Sequence, residues 1–191
     1  MTKKEKIIEV ATDIFAKNGF LNTKIATIAK KAGVATGSVY LYFENKDNIL
    51  EEIYLNSWNA LNEHLKDILS LDIPADEMFD KYFQFLAEIA TSNLSLVKML
   101  VRDQHFLSAE RMYHLKDRIT EIRIQIAQII QKGQRNGTFN KELDPVSTAA
   151  IILGGTWYYF VSKIDSLDKE NINQVIKKHL MDAFLKGLNN K

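Results

Sequence analysis

Two prolines, Pro74 and Pro145, and eight glycines are the strong backbone breakers in this chain of 191 residues. The tight turns of sandwiches and barrels draw on those two residue types, because proline presets φ and glycine tolerates positive φ. So sparse a supply argues against a loop-rich β architecture and for long uninterrupted helices. The expected fold class is all-α. With 46% hydrophobic and 26% charged residues, the chain has material for a buried core and lacks the composition of a disordered one. It has no cysteine. That excludes a disulfide scaffold, thiol catalysis and Cys-ligated zinc or iron–sulfur centres, and it fits a reducing cytosol. The basic start MTKKEKIIEV has no apolar run of signal-peptide type behind it. The longest apolar stretch, 149–161, contains two glycines and a threonine and falls short of the roughly 18–20 residues that span a bilayer. The expectation is a soluble, cytoplasmic protein without a membrane partner.

The net charge of +1 conceals a split. Residues 1–31 carry seven lysines against Glu5, Glu9 and Asp13, a net +4, whereas residues 51–90 carry nine acids against Lys66 and Lys81, a net −7. A cationic head on an acidic body suits a polyanion at one end. Charge alone fits a solvated surface with clustered lysines equally well.

The head reads as three short helices. Thr2 and Glu5 form a capping box, Ile7, Ile8, Ala11, Ile14 and Phe15 follow helical spacing, and Gly19 is the expected left-handed C-terminal cap. Thr23 is the expected cap of a second helix that buries Ile25, Ile28, Ala29 and Ala32, and a third covers about Ala35 to Tyr40. The body reads as longer helices over about 46–69, 75–90, 109–136, 145–163 and 169–188, with another that starts at Asn93 and carries Leu96, Met99 and Leu100; Asn45, Pro74 and Asp144-Pro145 are further start signals. The expected total is about nine helices. They divide into a DNA-binding-type head over 1–46 and a larger helical domain over 47–191.

A helix-turn-helix needs a small residue where its helices cross, a glycine in the turn and an aliphatic plug in the second helix. Ala29, Gly33 and Val39 stand at relative positions 5, 9 and 15, with Ile28, Ala32 and Val34 in the other inward slots. An ordinary helical hairpin also tolerates Ala and Gly, but the joint pattern on a basic head favours DNA binding.

The stretch IAKKAGVATGSVYLYFENK, residues 28–46, resembles the N-terminal signature of the tetracycline-repressor (TetR) family of bacterial regulators at nearly every defining position. Ala35 departs from it, because the family usually places there a serine that caps the recognition helix. The loss of that cap is worth about 1 kcal/mol. The resemblance implies that Thr23 and Lys24 lie near phosphates at the start of the second helix. It also implies that Thr36, Gly37 and Ser38 approach the major groove, that Tyr40 and Tyr42 offer hydroxyls to backbone or base edges, and that Lys46 meets a phosphate. Helix N-termini and hydroxyls suit such contacts. For the two tyrosines, a core position with the hydroxyl at the rim stays open, and Phe43 reads as core. The first arginine in the chain is Arg102, so bidentate guanine recognition by arginine is absent from the head. Readout then rests on hydroxyls, lysines and DNA shape.

Family members are homodimers, which implies that the last two helices meet their partner copies. The apolar faces that fit this role contain Leu153, Gly154, Trp157 and Phe160 on one helix and Ile176, His179, Leu180 and Phe184 on the next. Gly154-Gly155 in mid-helix points to close helix packing. Burial within one subunit is the alternative. The family also implies a small-molecule effector. Candidate lining is Trp58, Phe79, Phe83, Met99, Phe106, Met112, Tyr113, Ile122, Ile126 and Tyr158, with Arg102, His105 and Arg118 as anion partners. The same residues at helical spacing also describe an ordinary core and solvated cations. KGQRNGTFNKELDP followed by an apolar helix with a Gly-Gly pair resembles the branch that regulates fatty-acid breakdown and senses acyl-CoA. No E-x-x-H, H-E-x-x-H or Gly-rich phosphate loop occurs, so neither an enzyme, a metal site nor a cofactor is expected. The reading is a dimeric, ligand-responsive regulator, most naturally a repressor, that binds a near-palindromic double-stranded DNA operator and is released by a lipophilic effector. Its rivals are a DNA-binding regulator without a small effector and a helical lipid-binding protein.

Overall fold

The computed structural model describes residues 1–163 and 187–188. Its elements are α1 (Lys3–Asn18), α2 (Ile25–Ala32), α3 (Thr36–Tyr40), α4 (Lys46–Ser70), α5 (Ala75–Ser92), α6 (Leu94–Asp103), a 3₁₀ turn (Gln104–Phe106), α7 (Ala109–Arg135) and α8 (Pro145–Lys163). The all-α expectation holds. The helix expected over 169–188 lies outside the described residues apart from 187–188.

Several start signals act as the sequence suggests. Thr2 and Glu5 close a reciprocal capping box on α1, and Asn45 Oδ1 accepts from Asn48 N–H at the head of α4. Asp144 Oδ1 accepts from Ser147 N–H at the head of α8. Hydrogen bonds from the Ser147 side chain and backbone hold the Asp144 carboxyl below its ordinary pKa. Two expectations are corrected. Gly19 has positive φ but an extended ψ of 153°, so α1 does not end in a left-handed cap. The N-cap of α2 is Lys24, without a side-chain cap bond, because the Thr23 hydroxyl turns back to donate to Gly19 O.

The chain divides into two compact units. The first comprises Met1–Trp58 and Ser95–Lys116, and the second comprises Asn59–Leu94 and residues from Asp117 onward. Helices α4 and α7 each contribute to both units.

In the first unit, Ile7, Ala11, Ile14 and Phe15 of α1 are buried, as are Ile28, Ala29 and Ala32 of α2 and Val39 of α3. Helix α6 adds Val97, Met99 and Val101 to the buried set. Polar ties join these elements. The Tyr54 hydroxyl of α4 donates to Leu100 O of α6. Burial pushes that phenol well above its ordinary pKa. Glu51 of α4, 8% exposed, accepts from Arg111 Nη1 at 2.6 Å and lies 2.7 Å from His114 Nδ1.

In the second unit the buried face of α5, including Met78, Phe79, Tyr82 and Phe83, and that of α7, including Ile122, Ile126, Ile129 and Ile130, supply most of the core. Ala149, Ile152, Thr156 and Phe160 add one side of α8. Phe139, after α7, lies 5.8 Å from the Phe79 ring and fills the space left by Gly133. A Cβ at that glycine would sit 2.1 Å from Phe139 Cδ2.

Candidate nucleic-acid interface

The helix-turn-helix is built from small and aliphatic residues turned inward. Gly33 adopts the left-handed conformation (φ 69°, ψ 33°), and its N–H reaches Ala29 O and Lys30 O. Val34 N–H then donates to Ala29 O at 3.0 Å, so the turn ties off the end of α2 before the chain enters α3. Ala29, Ala32 and Val39 are essentially inaccessible. With those faces turned in, α2 presents Lys24, Thr27, Lys30 and Lys31 to solvent, and α3 presents Thr36, Gly37 and Tyr40.

The predicted contact residues fall into two groups. Lys24, Thr36, Gly37, Tyr40 and Tyr42 are exposed and Ser38 is half-buried. Tyr40 and Tyr42 are 53% and 44% accessible, whereas Phe43 is buried, as its reading as core requires. A Cβ on Gly37 would meet nothing within 4 Å, so the fold does not demand glycine there. Thr23 turns inward and Lys46 is half-buried. Thr23 is buried with its hydroxyl on Gly19 O. Lys46 Nζ donates to Phe20 O, Leu21 O and Thr23 O, and burial lowers its pKa. An ammonium has three protons, and all three have protein acceptors.

The exposed surface also includes residues not singled out from sequence. Thr27 and Lys30 are legible in retrospect as the polar stripe opposite Ile28, Ala29 and Ala32. Leu41, 82% exposed at the end of α3, gave no signal, because an isolated leucine in an amphipathic segment reads as core. Ala35 makes no side-chain cap bond to α3, and neither Thr36 nor the turn replaces one through a side chain.

The effector candidates are divided between the two units. Phe79, Phe83, Ile122 and Ile126 are buried in the second. Met99 is buried in the first, which also contains Trp58, Phe106 and Tyr113. Tyr113 and Tyr158 are well exposed. Arg102 makes paired hydrogen bonds to buried Asp103 and donates to Phe15 O at the end of α1. These bonds engage Nε and Nη2, so Arg102 ties α6 to α1 in this structure. Sequence reasoning did not find Asn62 and Gln125. Both are buried, and Asn62 Oδ1 and Gln125 Oε1 have no hydrogen-bond partner among the described residues. Asn62 Nδ2 donates to Glu121 Oε2. On α8, Phe160 turns inward and Leu153 and Trp157 are half-buried, while Gly154, Val146, Ile151 and Tyr158 are exposed. Nothing lies within 4 Å of a Cβ at Gly154, so packing within the described chain does not require that glycine. Ile176, His179, Leu180 and Phe184 lie outside the described residues. Among the described residues no His, Asp and Glu group could hold a metal, and no helix is long and apolar enough to cross a membrane.

The family model for bacterial regulatory proteins of the TetR family matches residues 7–53, and a tetracyclin-repressor-like C-terminal domain model matches residues 72–159. The chain belongs to the TetR family. This TetR-family regulator is 27% identical to the fatty acid metabolism regulator protein of Bacillus subtilis, over 97% of this chain and 95% of that protein. In fold it is similar to the fatty acid degradation regulator FadR from Bacillus halodurans, with a TM-score of 0.85 and 20% identity, over 100% of this chain and 98% of the other. It is also similar to FadR from Bacillus subtilis in complex with stearoyl-CoA, with a TM-score of 0.81 and 21% identity, over 97% of this chain and 99% of that one. The relatives are transcriptional regulators rather than enzymes.

Proposed function

We propose that this regulator is a homodimeric repressor that leaves its operator on binding a long-chain acyl-CoA. The near full-length likeness to a fatty acid metabolism regulator carries this reading, and the stearoyl-CoA bound in the similar Bacillus subtilis structure supports its choice of effector. DNA contact is assigned to the outward set, Lys24, Thr36, Gly37, Ser38, Tyr40 and Tyr42, on a head that spans 1–46. Residues 47–191 form the effector-binding and dimerisation domain. The exposed apolar side of α8, with Val146, Ile151 and Tyr158 beside Leu153, Gly154 and Trp157, supports a partner copy there. Dimerisation sets two recognition helices about one DNA turn, or a multiple of it, apart on a near-palindromic site.

Phe79, Phe83, Ile122 and Ile126 are the apolar groups assigned to the acyl chain. The carbonyl oxygens of Asn62 and Gln125 suit N–H or O–H groups of the bound molecule, since buried polar atoms are rarely left without partners. The effector acts only to the extent that it binds the DNA-incompetent conformation more tightly. The test is fluorescence anisotropy on a selected operator duplex titrated with stearoyl-CoA, stearate or free CoA. Release by stearoyl-CoA alone is the expected result. Unchanged binding in the presence of stearoyl-CoA removes the effector assignment and leaves a DNA-binding regulator controlled in another way.

A further inference from the structure

Leu41 stands at the end of α3 with 82% of its surface exposed, and its chemistry matches one feature of the DNA major groove. We propose that Leu41 is a specificity-determining residue that reads the C5-methyl group of a thymine in the operator. The proposal rests on the DNA-binding reading of the head and adds a base-reading contact to it.

The backbone holds Leu41 outward. Val39, two residues before it, is the fully buried plug, and Phe43, two residues after it, is also buried. The N–H groups of Tyr42 and Phe43 both donate to Val39 O at 3.0 Å, which pins the chain as it leaves α3. Leu41 itself keeps helical angles (φ −70°, ψ −23°). At about 100° per residue, it therefore projects from the side of α3 away from Val39. Gly37 stands one turn earlier on that same side, exposed and with nothing within 4 Å of a Cβ. The outward face of α3 is thus bare backbone followed by an isobutyl group, with exposed Thr36, Tyr40 and Tyr42 around it.

A single exposed leucine is ordinary on a protein surface. This one lies on the second helix of a helix-turn-helix, in a head whose only cationic side chains are lysines, since the first arginine is Arg102 and the first histidine is His64. Among the base edges in the major groove, the thymine C5-methyl is the one apolar group. Leucine gains there by burying methyl against methyl. It has neither donor nor acceptor for the edges of guanine, cytosine or adenine, which it would strip of water without replacing the lost hydrogen bonds. Attraction and penalty act in the same direction, so Leu41 selects thymine over cytosine without any arginine contact.

The experiment selects an operator duplex with the wild-type protein and then replaces its thymines one at a time by deoxyuridine, which removes the methyl group and keeps the base pair. Fluorescence anisotropy gives the affinity of the wild type and of Leu41→Ala for each duplex. At one thymine of the site, the replacement is expected to weaken the wild type about fourfold, the worth of one buried methyl-sized group. Leu41→Ala should bind the thymine and uracil duplexes alike at that position, with the salt slope of the wild type, because no phosphate contact is lost. The proposal is overturned if no deoxyuridine replacement weakens the wild type, or if Leu41→Ala loses as much as the wild type at every such position. Equal affinity of Leu41→Ala and the wild type for the selected operator also overturns it, and would give the exposed leucine to a protein partner instead. The deoxyuridine series on the wild type alone is decisive even where the variant is impaired. Selection of no duplex at all by the wild type would refute the DNA-binding reading itself.

Discussion

The first unit joins its helices through charged groups aimed at backbone carbonyls or a buried carboxylate, as Lys46, Arg102 and the Glu51–Arg111 pair show. The second unit is joined mainly by aromatic and aliphatic packing, with Phe79 beside Phe83 and Phe139 and with His64 stacked on Phe85 at 3.8 Å. Directional bonds admit one arrangement of their donors and acceptors, whereas apolar contacts can be repacked at lower cost. A surface that must match the spacing of DNA phosphates benefits from the first kind of joint. A domain that must admit a lipophilic molecule benefits from the second.

Substitutions in each unit test this difference. The largest effect belongs to Arg111→Met, which leaves the Glu51 carboxylate buried beside a half-exposed imidazole. A loss of about 3 kcal/mol in chemical denaturation is expected, and a change below about 1 kcal/mol would show that this tie behaves as a surface pair. In the second unit, Gly133→Ala drives a methyl group into the Phe139 ring and should cost about 1–3 kcal/mol. Wild-type stability would mean that Phe139 moves freely, which strengthens the view of this unit as the more plastic one. Gly37→Ala separates fold from function. Open space surrounds that position, so stability should hold or rise by up to about 1 kcal/mol while operator affinity falls. Equal affinity for the variant would remove Gly37 from the DNA-contacting set. The smallest effect is that of Ala35→Ser, which restores a side-chain cap to α3 and should add about 1 kcal/mol to the melting free energy.

The two units also differ in how far the sequence disclosed them. Capping boxes, turn glycines and helical periodicity are local, so the bounds of α1 to α8 were legible to within a residue or two over most of the chain. The helix-turn-helix was legible because its turn requires particular residues: a left-handed Gly33, a small Ala29 and a plug at Val39. The carbonyl contacts of Lys46 were not, since its partners Phe20, Leu21 and Thr23 lie 23 to 26 residues away. A lysine at a helix start looks the same whether it meets phosphate or carbonyl oxygen. Arg102 was hidden in the same way, because its contact with Phe15 O spans 87 residues. The effector candidates were read from aromatic spacing alone, and such spacing does not distinguish a wall of a pocket from solid core. The buried amides of Asn62 and Gln125 gave no periodic signal, as polar residues on helices ordinarily face water.

The exposed polar face of α2 and α3 is proposed to dock on DNA phosphates. The most direct measurement is the equilibrium affinity of the protein for its selected operator across about 50 to 200 mM salt. With six or more phosphate contacts in the complex, the logarithm of the association constant should fall linearly with the logarithm of salt, with a slope of about −5 or steeper. A slope near zero, with binding otherwise intact, would contradict phosphate docking by this head.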